Sequence, residues 1–219
     1  MKLCASMMCA DFSNLQKEVE ELWSAGIDSY HIDIMDGDFV DNFGMGYQDM
    51  FLIKKILQKP IDVHLMVKHP HNYLPLLFEL GANMIYIHPE VDADPATTIE
   101  KIHLAGLNAG VAINPGTSIS LIEELLNTVD SVLVLGVNPG HSGRRYQDYV
   151  DRKLYKLLEI KQHLNFEIVL DGAVTRERIS HWSYAGVESF VLGTSCLFGK
   201  DRKYDQIVRD LRSTHQGEQ

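Results

Sequence analysis

Apolar and polar positions along this chain fall into two alternating textures. Short runs rich in β-branched and other apolar residues occupy 2–8, 29–35, 61–67, 84–88, 109–113, 131–135, 166–170 and 189–192. Between them lie longer stretches with apolar residues three and four apart, the spacing of a one-sided helix. Leu15, Val19 and Leu22 follow it in the first stretch; Leu154, Leu157, Leu158 and Ile160 follow it in the sixth. Several helix starts carry capping chemistry. Ser13 and Asn14 precede a glutamate-rich turn, Ser118 or Ser120 precedes Ile122, Glu123 and Glu124, and Thr175 precedes Arg176 and Glu177. Gly26, Gly81, Gly106 and Gly186 each follow a helical stretch, where a left-handed closing residue is favoured.

Strand runs that alternate with helical stretches predict a parallel sheet, because parallel neighbours need a crossover between them. Eight such units predict an α/β fold of one domain, a (β/α)8 TIM barrel over 1–212 with a polar tail at 213–219. An open doubly wound sheet is the structural alternative. No Gly-x-Gly-x-x-Gly follows the first run, which counts against the dinucleotide-binding form of that sheet.

Composition narrows the function. At 219 residues and 45% hydrophobic, the chain can bury a large core without dividing. A formal net charge of −10 argues against nucleic acid or an anionic membrane as partner, since both need clustered Lys and Arg. Cys4, Cys9 and Cys196 are too few for a disulfide framework, and no Cys-x-x-Cys is present for a thiolate zinc site. The apolar segment 3–10 reads as a first strand and not a secretory signal: a single Lys leads it, and Asp11 closes it where small residues would be needed. No apolar run approaches the roughly 20 residues that cross a bilayer. The expectation is a cytoplasmic protein.

Chemistry gathers at the ends of the runs. His31 and Asp33 stand two apart at the end of the second, and so point to the same side. His64 lies near the end of the third and Asp171 at the end of the seventh. Ligand-type side chains on buried strand ends are costly unless something there binds charge. In a barrel these ends converge on the C-terminal mouth, where active sites form. Two imidazoles and two carboxylates suit zinc, iron, manganese or cobalt without choosing among them. His88 ends the fourth run at the same mouth. Met8, Met35 and Met66 fall on or just after strand ends, where methionine either fills core or lines the mouth. Small-residue turns follow the later runs: 138–143, Gly172-Ala173, and Gly193-Thr194-Ser195. Turns poor in side chains let backbone N–H groups approach an anion, and barrels often seat phosphate there.

The segments Ser6-Met-Met-Cys-Ala-Asp-Phe, His31-Ile-Asp-Ile-Met-Asp-Gly-Asp-Phe-Val, Asp62-Val-His-Leu-Met, Val137-Asn-Pro-Gly and Val169-Leu-Asp-Gly together resemble the ribulose-phosphate 3-epimerase family. The resemblance runs in family order across nearly the whole chain. It implies a metal-dependent barrel that epimerises C3 of a ketose phosphate, with His31, Asp33, His64 and Asp171 holding one divalent ion, zinc first and iron, manganese or cobalt otherwise. It implies that Asp33 and Asp171 are the acid and base and that Ser6 and His64 contact substrate. Gly140, His141, Ser142, Gly143, Gly172, Ala173, Gly193 and Thr194 would hold the phosphate, with Met35 and Met66 beside the reacting carbons. A homo-oligomer, dimer or hexamer, is expected on the same ground.

The chain departs from the family pattern at its rim. Asp41 replaces a proline, 140–144 reads Gly-His-Ser-Gly-Arg where Gly-Phe-Gly-Gly-Gln is usual, Leu135 replaces a methionine, Gly136 a Ser or Thr, and Ala173 a glycine. None removes a proposed ligand or base. The segments at 6–9, 87–90 and 193–198 lean toward the branch acting on D-allulose 6-phosphate, and D-ribulose 5-phosphate stands close beside it. A facial-triad iron oxygenase leaves Asp171 and the phosphate turns unexplained. Decarboxylases of related phosphate-binding barrels resemble Asp-x-Lys-x-x-Asp, where this chain has His31-x-Asp33-x-x-Asp36 and lacks the lysine. A catalytically degenerate barrel that only binds a sugar phosphate is the non-enzymatic alternative.

Overall fold

A computed structural model describes residues 1–56 and 58–213. Eight strands, β1 Lys2–Ser6, β2 Ser29–Met35, β3 Ile61–Met66, β4 Met84–Ile87, β5 Asn108–Ile113, β6 Ser131–Leu135, β7 Glu167–Asp171 and β8 Ser189–Leu192, close into one barrel. Each pairs in parallel with its sequence neighbours, and β8 returns to β1 with Cys4 beside Val191. The predicted (β/α)8 barrel is the observed architecture. Among the described residues the helices are α1 Leu15–Ser24, α2 Tyr47–Ile56, α3 Leu74–Leu80, α4 Pro95–Leu104, α5 Asp151–Lys161, α6 Arg176–Ala185 and α7 Tyr204–Ser213. None is long and apolar enough to cross a membrane.

Two-residue alternation along the strands sorts side chains between two cores. Tyr30, Ile32 and Ile34 face outward and join the large cluster under the helices, where the Tyr30 hydroxyl donates to the Val19 carbonyl of α1 at 2.7 Å. Cys4, Tyr86, Ala112, Leu133, Leu135, Val169 and Val191 face inward and form a separate plug. Gly110 makes room for it: a Cβ there would lie 2.4 Å from the Tyr86 ring. The mouth is set on this packed floor.

Several local expectations need correction. Between β5 and β6 the crossover is two 3-10 turns, Ile119–Leu121 and Glu124–Asn127, with no α-helix. Ile119, Ile122 and Leu126 are its buried residues, and the Ser118 side chain accepts from the Ser120 N–H, which tightens the turn at its start. Side chains at i and i+3 eclipse in a 3-10 helix, which keeps such runs short, and here the chain makes two of them in place of one longer helix. Asn14 stands at the N-cap position of α1, but neither its side chain nor that of Ser13 makes a capping hydrogen bond to the helix. Asp11 accepts from the Ser13 N–H and caps a 3-10 turn at Phe12–Asn14, from which α1 continues. Thr175 does cap α6, and Gly26, Gly81, Gly106 and Gly186 all take left-handed φ angles. The first strand stops at Ser6, because Met7–Cys9 turns into a 3-10 helix. All three cysteines are free. Ser213 is the last residue of α7, and the rest of the expected tail, 214–219, lies outside the described residues.

Candidate active site and metal centre

His31 and Asp33 project inward from β2, His64 from β3, and Asp171 from the last position of β7. Their nearest donor atoms all lie within 4.8 Å of one another. His64 Nδ1 is 3.2 Å from Asp33 Oδ1 and 3.9 Å from Asp171 Oδ2, while His31 Nε2 is 3.6 Å from Asp33 Oδ1. The Ser6 hydroxyl donates to Asp33 Oδ2 at 3.0 Å. His31, Asp33 and His64 are almost wholly shielded from solvent.

Burial and neighbouring groups together push the two carboxyl groups of this cluster in opposite directions. Burial lowers both His31 and His64 below the ordinary imidazole value, so each ring favours its neutral form. Burial alone would raise Asp33, but His31, His64 and the Ser6 hydrogen bond outweigh it and hold that carboxyl below its usual range. Asp171 goes well above the usual range, through burial first and the charge of Asp33 second. The two carboxylates titrate as a pair.

The donor set fits a divalent cation. Both ring nitrogens of His31 are buried without a hydrogen-bond partner. Leaving one such group unmade costs about 1–3 kcal/mol. Neutral imidazole nitrogens and a facing pair of carboxyl groups are the donors that a small divalent ion takes.

A cleft of about 560 Å³ opens above the cluster. Ser6, Asp33, His64 and Asp171 reach its base, and Met8, Met35 and Met66 line one wall. Met35 and Met66 pack with Val40 and Phe39, so these methionines belong to the mouth and not to the general core. The three small-residue turns meet on the opposite rim, where Gly140, His141, Ser142, Gly143, Gly172, Ala173, Gly193 and Thr194 all border the cleft. Close packing demands glycine at one of these: a Cβ on Gly172, at φ 90°, would lie 2.6 Å from the Val137 side chain. The departures from the family pattern also meet here. Asp41 Oδ1 lies 3.6 Å from His141 Nδ1 and 3.9 Å from the Arg144 guanidinium. Arg144 also donates to the Asn138 and Pro139 carbonyls and to His141 Nδ1. Gly136 has a steric reason too, because a Cβ there would lie 2.4 Å from the Tyr146 ring.

Sequence reasoning missed Glu90. His88, just past β4, is fully buried, and its Nε2 is 2.9 Å from His64 Nε2. Glu90 Oε2 is 3.1 Å from His88 Nδ1. The segment 88–90 has the same ligand-x-acid spacing as His31-x-Asp33, a signal that could have marked it.

A closed (β/α)8 barrel whose strand ends carry a buried two-histidine, two-carboxylate centre, ringed by small-residue turns, defines the class of protein. Solved barrels agree on the fold. A 3-hexulose-6-phosphate synthase from Salmonella typhimurium superposes with TM-score 0.76 at 15% identity, covering 99% of each chain. A phosphoribosyl anthranilate isomerase from Thermus thermophilus gives 0.68 at 13%, covering 97% of this chain and 99% of its own. Sequence comparison is more specific. The profile of the ribulose-phosphate 3 epimerase family matches residues 2–198. A ribulose-phosphate 3-epimerase of Aquifex aeolicus is 37% identical over 97% of this chain and 96% of its own, and one of Bacillus subtilis is 33% identical over 98% and 99%. The chain belongs to the ribulose-phosphate 3-epimerase family, and it is an isomerase acting on a carbohydrate phosphate.

Proposed function

We propose that the chain interconverts the C3 epimers of a ketose phosphate, D-ribulose 5-phosphate and D-xylulose 5-phosphate first, by moving the C3 proton through an enediolate. The observation that carries this reading is the placement of Asp33 and Asp171. They stand on strands three apart around the ring, in the order β2, β1, β8, β7, with their carboxylates turned toward one space beneath one cleft. Inverting a carbon requires a proton taken from one face and returned to the other, which two separate carboxyl groups supply. The names of the 31–37% identical relatives support ribulose 5-phosphate as the sugar.

His31, Asp33, His64 and Asp171 would hold one divalent ion, zinc by preference, and it would stabilise the negative charge that develops on the sugar oxygens. The protein supplies the remainder. One carboxylate takes the proton from C3, which the adjacent C2 ketone acidifies, and the other carboxyl group delivers a proton to the opposite face. The Ser6 hydroxyl, held on Asp33 Oδ2, keeps that carboxylate oriented. Met35 and Met66 offer the planar intermediate an aprotic wall that limits stray protonation. Backbone N–H groups of the three glycine-rich turns hold the phosphate and fix the distance from it to C3.

The test is deuterium wash-in at C3, followed by NMR in D2O, with D-ribulose 5-phosphate and D-allulose 6-phosphate run side by side. Exchange coupled to epimer formation, faster on the five-carbon sugar, is expected. Binding of either sugar phosphate without C3 exchange in the metal-replete protein would overturn the reading in favour of a barrel that only binds. Faster exchange on the six-carbon sugar would reassign the substrate.

A further inference from the structure

The described surface offers grooves and exposed aromatic residues, but the unassigned feature with the most structure around it lies behind His64. We propose that His88 and Glu90 form a positioning relay that fixes the tautomer and orientation of His64, keeping the lone pair of its Nδ1 turned toward Asp33 and Asp171. The proposal rests on the reading of His64 as an ion ligand.

With a cation at His64 Nδ1, the hydrogen-bond inventory runs in one direction. Two imidazole nitrogens 2.9 Å apart, His64 Nε2 and His88 Nε2, need one proton between them. Glu90 decides which ring carries it. Its Oε1 accepts from the Asn114 N–H at 2.9 Å and from the Thr117 hydroxyl at 2.6 Å, and its Oε2 faces His88 Nδ1 at 3.1 Å. Two donors on Oε1, the Asn114 N–H and the Thr117 hydroxyl, favour the carboxylate, an acceptor only. His88 Nδ1 therefore carries a hydrogen, and His88 with a single ring proton presents a lone pair at Nε2. The proton between the rings then belongs to His64 Nε2, and His64 Nδ1, 3.2 Å from Asp33 Oδ1, is left with a lone pair that a cation held between it and the carboxylates would satisfy. The reverse direction would set the His88 Nδ1 lone pair against an anionic oxygen.

Packing holds the geometry as well as the protons. The His64 and His88 ring centroids lie 5.0 Å apart with 29° between the planes, so the rings meet edge to edge and near coplanar through the 2.9 Å contact, and the Phe39 ring packs on His88 at 4.7 Å. Ligating histidines usually anchor the second nitrogen on a carboxylate or carbonyl. Here a second histidine is inserted between, so the anchoring charge sits on the loop after β4.

The test is ion affinity and ligand field, measured on the full chain with Co2+ as the probe. Chelator competition gives the Kd, and the visible d–d spectrum reports the donors around the ion. His88→Phe is expected to weaken Co2+ binding by about 10- to 100-fold and to shift the d–d bands. His88→Gln keeps an oxygen that can accept from His64 Nε2 and is expected to recover affinity to within about threefold of the wild type. Glu90→Gln keeps the hydrogen bond but removes the charge, for an expected loss of about three- to tenfold. His88→Phe with wild-type affinity and an unshifted spectrum overturns the relay. If that variant does not fold, Glu90→Gln decides by the same two readouts. Loss of Co2+ in His31→Ala, beside full retention in His88→Phe, removes the relay and leaves the ion reading standing. A wild-type chain that binds no Co2+ overturns both.

Discussion

The interior of the barrel has two halves, built by the same alternation of inward-facing residues and differing in what those residues satisfy. In the plug, Cys4, Tyr86, Ala112, Leu133, Val169 and Val191 fill space, and the buried Tyr86 hydroxyl still reaches Ser131 Oγ at 3.3 Å. In the mouth, His31 has two buried nitrogens with no partner, and two carboxyl groups face each other's field. A sequence selected for stability alone would fill the upper half as it fills the lower, because an unpaired buried polar group costs more than a well-packed apolar one. The plug carries the fold, and the mouth gives up stability for chemistry. Substitutions in the two halves should therefore separate stability from turnover.

The largest separation is expected at the carboxylates. Asp33→Asn and Asp171→Asn should each lower C3 proton exchange by about 100- to 10,000-fold, the range for losing a positioned acid or base, while the protein stays folded. The double variant should fall little further than the worse single one, because groups that act as a unit are strongly non-additive. Exchange within tenfold of wild type in either single variant would break the two-carboxylate assignment. The opposite case is Leu133→Ala, in the centre of the plug at zero exposure. It should cost about 2–5 kcal/mol in urea unfolding and leave kcat within a few-fold at temperatures where the variant is folded. A collapse of kcat at unchanged stability would show that the halves are not separable.

How much was legible follows the same division. Strand and helix positions were readable because burial imposes periods of two and 3.6 on local sequence. The centre was readable because His31, Asp33, His64 and Asp171 interrupt apolar runs, each visible within a few residues. The 3-10 crossover was not, since Ile119, Ile122 and Leu126, three and four apart, satisfy the helical period. Nor was the partnership of His64 with His88 and Glu90, or of Glu90 with Asn114 and Thr117. His64 lies within β3, His88 and Glu90 past the end of β4, and Asn114 and Thr117 past the end of β5, so they meet only when these strands pair. The clustering of Asp41, His141 and Arg144 is equally non-local, joining the loops after β2 and β6.

That rim cluster gives a smaller effect. Arg144 holds the Asn138 and Pro139 carbonyls, so Arg144→Ala should loosen the loop proposed to grip the phosphate. KM for the sugar phosphate should rise about tenfold, roughly 1.4 kcal/mol, with kcat changed much less. An equal fall in kcat at constant KM would move Arg144 from ground-state binding into the chemistry. Smaller again is a pH effect on the relay behind the mouth. Burial raises Glu90, but its bonds to His88, Asn114 and Thr117 outweigh that and hold its pKa at about 2, against 4.5 when unperturbed. A depressed folded value means that the stabilisation is complete above about pH 4.5 and is lost as pH falls toward 2. Between pH 7 and pH 3.5 the wild type should therefore lose about 1 kcal/mol more urea stability than Glu90→Gln, and equal acid sensitivity would break the assignment.

The smallest effect tests the rim's backbone. Ala173 is the one non-glycine residue with positive φ among the described residues, at 51°, in the turn where the family pattern has glycine. A left-handed alanine carries strain of about 1–2 kcal/mol, because its Cβ crowds the following carbonyl. Replacing it by glycine removes that strain but gives the unfolded chain more freedom to lose, about 0.4–1 kcal/mol in the other direction. The two partly cancel, so Ala173→Gly should raise urea stability by about 0–1.6 kcal/mol. Its informative readout is function. The turn keeps its shape if Arg178, which donates to the Ala173 carbonyl at 3.1 Å, fixes it from α6. KM should then stay within about twofold of wild type, whereas a clear rise would mean that the alanine methyl itself touches the substrate and helps to choose the sugar.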